Sequence, residues 1–173
     1  MRKLITIGAI GVALVAGTAL GHGRDQRNAF RVRLDGYQEV PSVSTPASGG
    51  LVLHVAPDGL SLGYALRYEN LQGNVTQAHI HFGRTAINGG IVLWLCGTAT
   101  NAGPAGTPVC PGPNSGSVSG TLDASDVVAP MPMNQGILAG EFSEVVDALR
   151  NHAAYGNVHS NLFPGGEIRG NIR

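Results

Sequence analysis

Apolar positions recur with period two along most of the chain, in short runs interrupted by Gly, Pro, Asn and Asp. That pattern belongs to strands with one buried face, closed by tight turns. Phe30-Arg31-Val32-Arg33-Leu34 alternates cleanly and stops at Asp35-Gly36. Residues 50–55 and 60–68 flank Pro57-Asp58-Gly59, a strong hairpin signal. Residues 75–82 and 90–96 flank the turn Asn88-Gly89-Gly90, and residues 116–122, 154–160 and 167–172 supply further strands. Residues 141–150 break the rhythm, because Phe142, Val145, Val146 and Leu149 fall at helical spacing. Glu141 and Glu144 suit the first turn of that helix and Arg150 its last. The pattern predicts an all-β protein, a Greek-key-like antiparallel β-sandwich with one short helix near residues 141–150.

The first residues read differently. Arg2 and Lys3 precede an unbroken run of apolar and small residues from Leu4 to Leu20, with small residues at Gly17, Ala19 and Gly21. This is the composition of a secretory signal peptide of bacterial type, residues 1–21, followed by a flexible tail over 22–29 and one domain over 30–173. The expected location is secreted or periplasmic, with no membrane association after cleavage. No fixed-period repeat and no second domain is visible. Eleven basic residues balance eleven acidic ones, which removes any electrostatic reason to expect nucleic acid as a partner. Cys96 and Cys110 would follow the signal peptide into an oxidising compartment, where a disulfide is the default. It would staple a loop rich in Gly, Pro, Ala and Thr.

Candidate chemistry gathers at two segments. Gln77-Ala78-His79-Ile80-His81-Phe82-Gly83 places His79 and His81 two residues apart on a strand, hence on one face. Asn157-Val158-His159-Ser160, followed by Pro164-Gly165-Gly166-Glu167-Ile168-Arg169-Gly170, adds a third imidazole if the last strands lie beside a middle one. Three neutral imidazoles suit copper, with zinc as the alternative, and Glu167 or water could complete the shell. Glu167, Asn157 and Arg169 are expected to support the ligands, as buried partners commonly fix a ligating histidine's tautomer. The alternative is a non-catalytic envelope interaction module in which the histidines form a buried hydrogen-bond network. His22 would chelate only as a mature N-terminus; His54 and His152 read as structural. No Gly-x-Ser-x-Gly elbow, phosphate-binding glycine loop or His-Glu-x-x-His helix is present.

These residues resemble the CHRD domain, the module named after chordin and found singly in exported bacterial proteins. The resemblance opens at Leu34-Asp35-Gly36-Tyr37-Gln38-Glu39-Val40-Pro41 and continues through Pro46-Ala47-Ser48-Gly49. It includes Ala78-His79-Ile80-His81 with Asn88-Gly89, then residues 116–126, then Asn157-Val158-His159 and residues 164–170. Gly156 stands where the family usually has Val, Ser160 where it has Thr, and His152 where a small residue is common. The segment between the cysteines looks like an insertion. The resemblance implies an all-β, exported domain and places the three histidines in motif positions.

Overall fold

The computed structural model describes residues 27–173. The expected signal peptide, most of the tail and His22 lie outside the described residues. Eight strands form one antiparallel sheet: β1 (Ala29–Asp35), β2 (Ser48–Val55), β3 (Ser61–Glu69), β4 (Val75–Phe82), β5 (Gly90–Cys96), β6 (Gly116–Asp123), β7 (Ala154–Ser160) and β8 (Ile168–Asn171). Their order is β5-β4-β7-β8-β1-β2-β3-β6. The sheet curls until its edge strands β5 and β6 touch, so the fold is near-barrel. Tyr64 of β3 ties that seam, its hydroxyl donating to the Leu95 carbonyl of β5 at 2.8 Å. Strands β4, β5 and β6 follow one another in space and β7 returns beside β4, which is Greek-key connectivity. The all-β expectation and the single helix, α1 (Phe142–Arg150), both hold.

The core follows from the alternation. Phe30, Val32 and Leu34 of β1, Leu51, Leu53 and Val55 of β2, and Leu62, Tyr64, Leu66 and Tyr68 of β3 all point into the curl. Their polar neighbours, Arg31, Arg33, His54 and Arg67, face outward. The β2–β3 hairpin turns where expected: Gly59 takes φ +74, a left-handed conformation that suits glycine, and its N–H donates to the Ala56 carbonyl. Helix α1 buries Phe142, Val145, Val146 and Leu149 and exposes its acidic side. Each fully buried aliphatic side chain contributes about 1.5–3 kcal/mol of transfer free energy.

Strand β7 departs from alternation, because all seven of its residues are buried. One face of the β4–β7–β8 region looks into the core, through Ala78, Ile80, Val158 and Ile168. The opposite face carries polar and aromatic side chains and is roofed by three loops, residues 36–47, 83–89 and 161–167. Asn88 joins two of them by donating to the Val40 carbonyl at 3.0 Å.

Cys96 and Cys110 are joined as a disulfide at a separation of 14 residues. A loop of that length confers about 3 kcal/mol by restricting the unfolded chain. Replacing both cysteines by serine is therefore expected to lower the unfolding free energy by about that amount, read from urea denaturation.

Candidate metal centre

The antiparallel register brings three rows of side chains together on the roofed face. Gln77 of β4 lies opposite His159 of β7, His79 opposite Asn157, and His81 opposite Tyr155. On the far side of β4, Trp94 of β5 lies opposite His79. Asn157 in turn lies opposite Arg169 of β8. A period of two within each strand, combined with this pairing, is enough to make the histidines neighbours. The ladder between β4 and β5 shifts register on either side of the His79–Ile80 pair, a bulged geometry that re-aims side chains.

His79, His81 and His159 are all buried, and one ring nitrogen from each lies within 4.8 Å of the other two. The His79 ring sits 5.1 Å from His159 and 5.4 Å from His81, centroid to centroid. Trp94 meets His79 edge-on at 4.2 Å, and Tyr155 stacks flat on His81 at 4.7 Å. The other face of the tyrosine carries a guanidinium: Arg169 Cζ stands 3.3 Å from the Tyr155 ring centroid.

Hydrogen bonds set the tautomers. His81 Nδ1–H donates to the Gly89 carbonyl and His159 Nδ1–H to the Pro164 carbonyl, each at 2.9 Å. Both rings then carry their lone pair on Nε2. His81 Nε2 has no hydrogen-bond partner, and His159 Nε2 lies 3.1 Å from Asn157 Oδ1, itself an acceptor. His79 is the extreme case: wholly buried, with neither ring nitrogen paired. A buried polar group left unpaired costs about 1–3 kcal/mol, so three such nitrogens in one cluster are expensive unless something binds them. Three nitrogens at about 2.0–2.1 Å from one ion lie about 3.3–3.6 Å apart, so small side-chain rotations would bring these rings into ligating range.

Burial holds the rings neutral. It lowers His79 to about 2, with the neighbouring His159 and His81 adding to the effect. It lowers His81 to about 4 against the opposing pull of the Gly89 carbonyl. His159 is lowered by the same cause. Neutral imidazole is the form that ligates metal.

Glu167 and Arg169, expected beside the histidines, brace the roof and do not pair with each other. The Glu167 carboxylate accepts from Thr45 Oγ1 at 2.8 Å, from the Gln72 N–H at 2.7 Å and from Ser160 Oγ at 2.6 Å. Arg169, fully buried, donates to Asn88 Oδ1 and to the Arg84 and Ile87 carbonyls. His54 and His152 are exposed and lie away from the cluster. Sequence reasoning did not single out Glu39, Trp94 or Tyr155 as members of the site. Glu39 is buried at 5% exposure, its Oε1 unpaired, and burial raises its carboxyl to about 7 although Arg169 opposes the shift. Gly166, at φ +124, leaves room for it: a Cβ there would lie 2.3 Å from Glu39 Oε1 and 2.8 Å from Asn157 Nδ2. The place of this acid inside the Leu-Asp-Gly-Tyr-Gln-Glu-Val-Pro segment, which carries the family resemblance, was the one available signal.

The fold and site define a single all-β domain whose roofed sheet face encloses a three-imidazole cluster. Residues 30–172 match the model of the CHRD domain, nearly the whole chain. The chain belongs to the CHRD domain family. No curated protein and no solved structure matches it.

Two outcomes follow from this geometry. In the unfolded chain histidine titrates near 6.5, whereas folded His81 resists protonation to about 4 and His79 to about 2. The unfolded state therefore binds more protons below pH 6.5, and metal-free protein should lose stability as pH falls from 6.5 towards 4. The slope is about 1.4 kcal/mol per pH unit for each imidazole involved, measured by denaturant titration across that range. Glu167→Ala, which strands three donors under the roof, is expected to cost about 2–4 kcal/mol in the same assay.

Proposed function

We propose that the domain binds one transition-metal ion through His79, His81 and His159, with copper favoured and zinc the alternative. The observation that carries this reading is His79, an imidazole wholly buried between two others with both ring nitrogens unpaired. A first-row ion facing the three lone pairs would engage Nε2 of His81 and one of the two unpaired nitrogens of His79. It would also relieve the contact between His159 Nε2 and the Asn157 carbonyl oxygen. The hydrogen bonds from Nδ1 of His81 and His159 to backbone carbonyls are the usual device for orienting a ligating imidazole. Copper ranks above zinc for a divalent ion on a given nitrogen donor set. Glu167 is consumed by Thr45, Gln72 and Ser160, which leaves water to complete the shell.

In this reading Asn157 and Arg169 are positioning residues. Asn157 lies against His159 and Glu39, while Arg169 fixes the Tyr155 ring on which His81 stacks. We place the protein outside the cytoplasm, secreted or periplasmic. The Cys96–Cys110 disulfide supports that, and no helix among the described residues is long and apolar enough to cross a membrane. The second reading, an interaction module with structural histidines, draws on the same two Nδ1 bonds but leaves His79 without a partner.

Trp94 is the chain's single tryptophan and its ring meets His79, which makes it a reporter. Adding copper(II) to metal-free, untagged protein should quench its fluorescence with an end point at one equivalent. Retained ion should raise the melting temperature. His79→Ala and His159→Ala should each lose the retained ion on metal analysis. Unchanged metal content in both variants would overturn the assignment.

A further inference from the structure

We propose that Met131 and Met133 form a separate surface site for a soft monovalent cation, copper(I), beside the His81 end of the cluster. Residues 130–135 leave and return to one point on the sheet. Pro130 packs so closely on Gly90 that a Cβ there would lie 2.5 Å from Pro130 Cβ. At the other end, the Gln135 carboxamide accepts from the Gly90 N–H at 2.7 Å and donates to the Phe82 carbonyl at 2.9 Å. The residue before Gly90 supplies the carbonyl that receives His81 Nδ1–H. This two-ended staple holds four residues out from the strand ends next to His81, and two of the four are methionines.

Their exposure is 71% for Met131 and 42% for Met133. One exposed apolar side chain needs no explanation. Two thioethers two residues apart, on a loop stapled at the candidate copper centre, have a shared chemistry. Thioether sulfur is a soft, uncharged donor that takes copper(I) in preference to zinc or copper(II). Nothing has to titrate for it to bind. A copper(I) ion caught there can pass to the imidazoles by exchange of ligands, thioether for nitrogen, with no change of oxidation state.

The hand-over rests on the histidine reading, but capture by the methionines does not. Silver(I), a redox-inert stand-in for copper(I), added to full-length protein carrying 13C-methyl methionine, tests capture directly. The Met131 and Met133 methyl signals, assigned with Met131→Leu and Met133→Leu, should shift together and saturate. Either substitution should abolish the shift of the remaining partner. Leucine conserves side-chain size at these exposed positions, and an unchanged melting temperature would show that the fold is intact. In His79→Ala the methionine shift should persist; with no ion retained by the histidines, the surface site would stand while the buried centre fell. Methyl signals unmoved by several equivalents of silver(I) in the unsubstituted protein would overturn this inference and leave the buried centre untouched. Hand-over predicts that the double leucine variant loads copper(I) from a competing chelator more slowly, to the same final content. Equal loading rates would confine the methionines to capture alone.

Discussion

Buried polar groups must find partners, and this structure depends on that constraint at one face of one sheet. Most of the barrel is conventional: inward apolar side chains, outward polar ones, short turns. The β4–β7–β8 region is buried on both faces, and its second face holds three imidazoles, a guanidinium and carboxylates instead of a second apolar layer. Taking such groups from water is costly unless each is answered by a hydrogen bond or a countercharge. Much of the surrounding loop structure answers that demand.

Two residues do most of the answering. Glu167 gathers donors from residues 45, 72 and 160, while Arg169 gathers acceptors from residues 84, 87 and 88. Both come from the last part of the chain, so closure of the roof requires β8 to be in place beside β1 and β7. The stacked column of His81, Tyr155 and Arg169 links the roof mechanically to the imidazole cluster. The buried side-chain atoms left unpaired among the described residues are equally informative: both nitrogens of His79, Nε2 of His81, Oε1 of Glu39, Nε of Arg169 and Oδ1 of Asn171. Three of the six belong to the imidazole cluster, and the others lie on β8 or on the loop over residues 36–47.

The strands were legible because a half-buried strand writes its periodicity directly into the chain. The alternation at Phe30, Val32 and Leu34 and the turn at Pro57-Asp58-Gly59 appear where expected, as does the helical spacing from Phe142 to Leu149. Strand β7 was legible as a strand but not as a doubly buried one, because its outer residues Tyr155, Asn157 and His159 look like a solvated face. Glu39 was hidden for a related reason: an acid in a polar turn gives no sign that loops will close over it. Trp94 and Tyr155 lie within strands and carry no local pattern that marks them as neighbours of the histidines.

By itself the sequence determined the class of fold, the strand set, the family and the three histidines as the candidate chemistry. All of these depend on local periodicity or on motif order. Only the tertiary structure decided that β7 lies against β4 in the register that sets His79 across from Asn157, and that the sheet is one curled layer. It also decided that Glu167 braces loops rather than the imidazoles, and that Glu39 is the buried acid near Asn157. These outcomes turn on cross-strand register and loop closure between residues up to 122 positions apart, and no local pattern encodes which distant partner a polar side chain will meet.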